Sequence, residues 1–268
     1  MTQADSAFVG SIPELYDLCL GPMLFEPYAL DLGRRFEGFK GALLETAAGT
    51  GRATRALARA VTSSATITAT DLSAPMLARA AQVVTAPNVV WREADALALP
   101  FADASFDAVA CQFGVMFFPD KIAGFTEARR VLKPGGRLVF SVWDRIEDND
   151  VPLLVRDTVT AQFPDDPPGF FARGPFSWHD KAQIHAALGE AGFGAVEIDT
   201  VRLPTPARSA IDAAIGLCSG SPMGGEIEAR RPGGLDATVQ AVAQALIKKF
   251  GDGPFDGQGQ ALVVTAKV

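Results

Sequence analysis

The stretch ETAAGTGR, Glu45 to Arg52, decides how the rest of the chain is read. It follows the apolar run Ala42-Leu43-Leu44, which reads as a strand, and precedes Ala53-Thr54-Arg55-Ala56-Leu57-Ala58, which reads as a helix. Small residues at such a junction leave bare backbone that a ligand can approach, because Gly and Ala put little or no side chain in its way. A turn of this kind also serves simply to pack a helix tightly on a strand, so on its own it leaves both uses open.

Outward from the turn, strand-like and helix-like runs alternate across residues 42–143. Strands are predicted at 42–46, 65–70, 89–92, 108–112 and 137–143, and helices at 52–61, 74–84 and 120–132. Strands this apolar, separated by helices, are the pattern of a parallel sheet covered on its faces. Ser73 is placed as an N-cap with Pro75 in the first turn after it, and Lys133-Pro134-Gly135-Gly136 stops one helix and turns the chain into the next strand. Further on, residues 164–175 read as a Pro/Gly-rich loop. Residues 181–191, 207–217 and 234–250 read as helices, and 195–201 and 260–268 as late strands.

Bulk properties narrow the function. The 268-residue, 28.2 kDa chain can bury a full core, and length alone permits one large domain or two small ones. No stretch approaches the roughly 18 uninterrupted apolar residues of a membrane helix. The start, Met1 to Asp5, carries no basic residue ahead of an apolar segment, so the expectation is a cytoplasmic protein. Cys19, Cys111 and Cys218 lie too far apart for a CxxC metal pair and are expected to be buried as small apolar residues. A net charge of −7, with basic residues scattered singly or in pairs, argues against a nucleic-acid partner, which demands clustered Lys and Arg.

Asp71 ends the second predicted strand, 20 residues beyond Gly51. There an acidic side chain can accept hydrogen bonds from the hydroxyls of a ribose held at the first turn. Dinucleotide-binding dehydrogenases and methyltransferases both use this arrangement. A pyrophosphate site prefers a third Gly at the helix start, where this chain has Thr54, so the dehydrogenase alternative weakens.

Four segments then carry a resemblance: ETAAGTG (45–51), ATDLSAPML (69–77), ADALALPFADASFD (94–107) and VLKPGGRL (131–138). In this order they resemble the successive motifs of class I S-adenosylmethionine-dependent methyltransferases, in particular the small-molecule branch that includes ubiquinone/menaquinone-biosynthesis-type enzymes. The likeness is dense over about residues 40–143 and looser in the tail, at EAGF (190–193). Ala47 departs from the family, standing where many members have the first Gly.

The resemblance implies an α/β fold, a Rossmann-like seven-stranded mostly parallel sheet with helices on both faces, plus helical cover from the N-terminus and late insertions. The chain would be a single methyltransferase domain over 1–268. Its parts would be an N-terminal lid at 1–40, a cofactor-binding core at 41–143, substrate cover at 144–178 and 203–258, and late strands at 195–201 and 260–268. Carried over by position, Glu45, Ala47, Gly49, Thr50 and Gly51 would shape the methionine side of an S-adenosylmethionine pocket. Asp71 would bind the ribose diol, Leu72 and Met76 would pack on the adenine, and Asp95 would accept from its amine with Ala96 offering its N–H. Leu72 and Met76 also suit an ordinary core, and Asp95 also suits a turn before Pro100. In CQFGVMFFPD (111–120), Gln112 and Phe113 are placed near the methionine group, where Phe113, Phe117 or Phe118 could face the sulfonium by cation–π attraction. Tyr16, in the lid-like stretch 12–28, would reach the cofactor.

Methyl transfer from a sulfonium is an in-line displacement with a neutral leaving group, so alignment and a dry site are what the protein must supply. Neither a metal nor a covalent nucleophile is required, and the chain shows no HExxH, GxSxG or P-loop motif. A base is needed only if the acceptor must lose a proton. His179 is the candidate, with a capping or exposed His as its plainer role, and His185 is not spaced to share a metal with it. Phe8, Phe25, Tyr28, Phe170, Phe171, Trp178 and Met223 crowd the expected cover and favour a small apolar or aromatic acceptor. The competing functions are a non-catalytic S-adenosylmethionine-binding module and an NAD(P)-dependent oxidoreductase.

Overall fold

The computed structural model describes residues 12–268, so the N-terminal stretch with Phe8 lies outside the described residues. Seven strands form one sheet: β1 (Ala42–Glu45), β2 (Thr66–Asp71), β3 (Val89–Glu93), β4 (Phe106–Gln112), β5 (Leu132–Trp143), β6 (Val196–Ala207) and β7 (Phe255–Lys267). Their order is β3-β2-β1-β4-β5-β7-β6. The pairs among β1 to β5 are parallel, and β7 runs antiparallel to β5, with Ser141 opposite Val263. This is the expected seven-stranded, mostly parallel sheet.

The helices are α1 (Ile12–Leu15), α2 (Glu26–Arg35), α3 (Arg52–Ala60), α4 (Ala74–Val83), α5 (Lys121–Val131), α6 (Asp150–Gln162), α7 (Phe170–Arg173), α8 (Lys181–Glu190), α9 (Ala210–Ser219), α10 (Met223–Arg230) and α11 (Leu235–Phe250). A π-helix, Tyr16–Phe25, joins α1 to α2. The contacts of the described residues cluster into two compact units: one of residues 12–27, 144–177 and 202–260, the other of residues 28–143, 178–201 and 261–268.

The second unit holds most of the sheet. Successive strand residues face opposite sides. One face, with Leu43, Ile67, Ala69, Ala108, Ala110 and Val139, packs against Leu32 and Phe36 and against Ala53, Ala56 and Leu57 of α3. Alanines in the strands let the helices lie close, and at Gly33 of α2 a Cβ would stand 3.1 Å from the Ala56 carbonyl oxygen. The opposite face carries Phe140, which meets Phe125 of α5 at 5.2 Å between ring centroids and Trp178 at 6.4 Å. Caps close the helices as predicted for α4, where Ser73 Oγ accepts from Met76 N–H at 3.5 Å. Lys133 to Gly136 form a bulge: the partner of β4 jumps from Leu132, opposite Phe106, to Arg137, opposite Ala108.

The first unit is helical around its own core. Ala213, Ala214, Leu217 and Cys218 of α9 and Val239, Val242 and Leu246 of α11 are buried. At Gly216 a Cβ would come 2.8 Å from Cys19 Cβ and Leu20 Cδ2, so this glycine lets the π-helix approach α9. The 164–175 loop contains the short helix α7 and is tied down by Glu226, whose Oε2 accepts from Gly169 N–H at 2.7 Å and whose carboxylate pairs with Arg173. The helices α6 and α10 were not predicted, and β6 runs on to Ala207 rather than ending at 201. Cys111 and Cys218 are buried free thiols, as expected, while Cys19 is half-buried. Among the described residues no helix is long and apolar enough to cross a membrane.

Candidate functional site

The turn after β1 is built by hydrogen bonds to both neighbouring strands. Thr46 N–H donates to Ala110 O at 2.9 Å on the β4 side, and Ala48 N–H to Thr70 O at 2.9 Å on the β2 side. Ala47, Gly49 and Gly51 all adopt left-handed backbone, with φ of +53°, +56° and +83°. Glycine takes this conformation without penalty, whereas Ala47 pays for it. Gly51 is doubly required, because a Cβ there would lie 2.9 Å from Val84 Cγ2 and 3.2 Å from Trp91 Cη2. Around Gly49 a Cβ would meet no atom within 4 Å, so the backbone there faces open space.

Asp71 ends β2 beside this turn. Its Oδ2 accepts from Gly49 N–H at 2.8 Å and its Oδ1 from Ser73 N–H at 2.8 Å. Burial raises its carboxyl above the ordinary range, while the N–H groups of Ser73, Gly49 and Leu72 work against that rise. The same side chain therefore fixes the Gly-rich turn and the end of β2 to each other. Leu72 is 66% exposed, whereas Met76 is buried in α4. Ala94 N–H donates to Asp71 O at 3.0 Å, which brings the segment after β3 alongside. There Asp95 Oδ1 accepts from Leu97 N–H at 2.9 Å and so caps its own turn. Ala96 lines a cavity of about 10 Å³ together with Thr46, Cys111, Val115 and Phe118.

On the other side of β1, β4 ends in Gln112 and Phe113. Phe113 N–H donates to Ser141 O at 3.0 Å, continuing the ladder to β5, and then the chain turns through a left-handed φ of +53°. Its ring stacks on Trp143 at 3.9 Å between centroids, and Tyr28 sets its edge to Phe113 at 5.3 Å and to Trp143 at 5.2 Å. At Gly114 a Cβ would stand only 2.4 Å from Ala47 Cβ and 2.8 Å from Cys111 Sγ, so the β1 and β4 turns touch through this glycine.

Glu45 closes β1 at 1% exposure. Burial pushes its carboxyl up to about 8, and the charge of Asp71 pushes in the same direction. Thr54, on the first turn of α3, favours the charged form, yet neither Glu45 Oε2 nor Thr54 Oγ1 has a hydrogen-bond partner. A buried carboxyl with an orphaned oxygen is costly unless something completes it. Beside a turn with open backbone, the donor that would do so is a polar or cationic ligand group, and the residues present thus fit a nucleoside cofactor bearing an amino acid.

Glu45, the turn with Ala47, Gly49, Thr50 and Gly51, Asp71, Leu72, Asp95, Ala96, Gln112 and Phe113 therefore gather along the carboxyl ends of four adjacent strands, β3, β2, β1 and β4. Tyr16 belongs to the first unit, where it stacks on Phe25 at 4.8 Å. His179 follows Trp178, whose ring packs on Phe140, on the sheet face opposite Glu45. Trp143, Gly114 and Ser141, whose buried Oγ has no partner, were not singled out from the sequence. Trp143 at the end of an apolar strand gave a faint signal, and the other two gave none.

Comparison with known proteins gives three kinds of likeness. Residues 44–140 match the family model described as Methyltransferase domain. The chain is 46% identical over 101 residues to a demethylmenaquinone methyltransferase of Lactiplantibacillus plantarum, covering 36% of this chain and 43% of that protein. It is 35% identical over 175 residues to a ubiquinone/menaquinone biosynthesis C-methyltransferase of Paracoccus denitrificans, covering 58% of this chain and 67% of that protein. The chain thus spans less than half the length of the first relative and two thirds of the second. Among solved structures, a Haemonchus contortus phosphoethanolamine N-methyltransferase 2 in complex with phosphomonomethylethanolamine and S-adenosylhomocysteine has a TM-score of 0.62 at 18% identity, covering 98% of this chain and 59% of that one. The cyclase SpnF has a TM-score of 0.55 at 22% identity, covering 90% and 80%. At such identities the likeness shows the fold alone, and one fold serves more than one reaction.

Proposed function

The chain belongs to the S-adenosylmethionine-dependent methyltransferase family, of class I, and from that premise we propose that it methylates a small apolar or aromatic molecule by in-line displacement. The observation that carries this reading is the bond from Gly49 N–H to Asp71 Oδ2, which joins the Gly-rich turn and the ribose-type acid into one site. When bound, the cofactor supplies a methyl group activated by a sulfonium with a neutral leaving group.

The protein's part is binding, alignment and exclusion of water. A carboxylate has about four acceptor positions, so Asp71 keeps capacity for hydroxyl donors beyond Gly49 and Ser73. The bare backbone at Gly49 admits close approach, and exposed Leu72 offers apolar surface to a flat ring. Tyr28, Phe113 and Trp143 form a buried aromatic cluster beside Gln112. The printed functions of the quinone-biosynthesis relatives favour a phenol- or quinol-like acceptor. The acidic charge balance supports a small molecule over a nucleic acid.

Thermal unfolding with S-adenosylhomocysteine, S-adenosylmethionine and NAD in parallel tests the cofactor. A ligand at a hundredfold excess over its Kd adds about 2.7 kcal/mol, which for a chain of this size is a Tm rise of roughly 5–10 °C. The expected result is a rise with the first two and none with NAD. Asp71→Ala should weaken binding at least tenfold; unchanged affinity in that variant, or no rise in the parent protein, would overturn the assignment. Acceptor class is then read by product analysis over a panel of quinols, phenols and amines.

A further inference from the structure

Glu45 is not explained by alignment of the methyl group. Its carboxyl lies in the interior at the mouth of the β1 turn, and its Oε2 is orphaned. The groups that face it are Thr54 from α3, Asp71 from the end of β2 and Cys111 from β4, the last itself raised in part by Glu45. None of these is a cation, and among the described residues Glu45 has no ion pair. An ionised carboxylate in such a place would be unpaired, buried and repelled by Asp71, so the empty protein keeps Glu45 neutral. A bound ligand carrying a positive charge reverses this preference, because an opposite charge at short range favours the ionised form.

On the functional reading above, we propose that Glu45 is a protonated acid in the free protein and gives up its proton when the cationic cofactor binds, so that the counter-charge of the site is created by binding. The carboxyl O–H bond breaks, the proton passes to bulk solvent, and the carboxylate is left facing the ligand's positive charge. That charge is an ammonium, which S-adenosylmethionine and S-adenosylhomocysteine share, or the sulfonium, which S-adenosylmethionine alone has. Affinity should therefore climb about tenfold per pH unit while Glu45 is still protonated in the free protein, and level off once it ionises unaided, near pH 8.

Two measurements decide it. Infrared difference spectra of the free protein at pH 7 should show a protonated carboxyl band that is missing in Glu45→Gln and lost when S-adenosylhomocysteine or S-adenosylmethionine is added. Calorimetric titration at pH 7 in two buffers of different ionisation enthalpy should then count about one proton released by the parent protein and none by Glu45→Gln. The variant should bind at least tenfold more weakly with a Tm at pH 7 no lower than the parent's, since Gln imitates the neutral acid. Release with both ligands identifies the ammonium as the partner, and release with S-adenosylmethionine alone identifies the sulfonium. A missing band in the free protein overturns the proposal whatever binds, as does equal release by parent and variant. A band that is present in a protein binding neither ligand would overturn the cofactor assignment, and the proposal with it.

Discussion

Gly114 shows how little room single residues have at this site. A Cβ there would overlap Ala47 Cβ at 2.4 Å and Cys111 Sγ at 2.8 Å, and Ala47 already holds a left-handed backbone. Gly114→Ala should therefore cost about 2–3 kcal/mol by urea unfolding, in the range of overpacked cores. Adding Ala47→Gly should return part of that loss, because the pair is in contact and their effects do not add. Equal stability of Gly114→Ala and parent would mean that the two turns do not touch. Glu45 gives a second prediction at this scale. Its folded carboxyl ionises near 8, well above an unfolded one, so the unfolded state loses its proton first. Stability should fall as pH rises from about 4.5 to about 8, at up to about 1.4 kcal/mol per unit, and level off above. Glu45→Gln should remove this slope; a parent protein with no such slope would show that Glu45 is ionised when folded.

At the scale of elements, the start of β1 and the start of β4 are joined through Asp107. Its Oδ2 accepts from Ala42 N–H at 2.8 Å and both its oxygens from Lys133 Nζ at 2.9 Å, which holds its carboxyl below the ordinary range. The partners of Asp107 accompany the bulge at Lys133 to Gly136, where the chain loops out and brings the lysine back to β4. Asp107→Ala should cost about 1–2 kcal/mol, mainly from the abandoned Ala42 N–H, since a half-exposed ion pair contributes little. Asp107→Asn should keep less than half of that loss, as judged by the midpoint of denaturant unfolding. The β1 turn was legible in sequence because its requirement is local: left-handed backbone at 49 and 51 demands glycine. The buried aromatic cluster was not, because Tyr28, Phe113 and Trp143 come from three separate segments of the chain.

At the scale of the whole molecule, two compact units with separate cores give no assurance of a single unfolding transition. The turn and the strand ends that make the candidate cofactor site lie in the second unit. Hydrogen exchange followed by mass spectrometry should therefore slow at least tenfold in peptides spanning 42–51 and 66–73 on adding S-adenosylhomocysteine. Unchanged exchange there, with binding shown independently, would move the site elsewhere.

The sequence by itself determined the alternating α/β order, the left-handed glycine turn, the acid after β2 and the family, because periodicity, turn chemistry and motif spacing are written along neighbouring residues. It predicted neither α6 nor α10, and it ended β6 six residues early. It left open whether Met76 joins the core and whether Asp95 caps its own turn, and the structure shows both. Tertiary structure alone decided the orphaned Glu45 carboxyl, the Gly49 to Asp71 bond, the contact of Ala47 with Gly114 and the stacking of Phe113 on Trp143. Three of these join residues more than 20 positions apart, and the Glu45 carboxyl depends on burial, a property of packing that no local pattern carries.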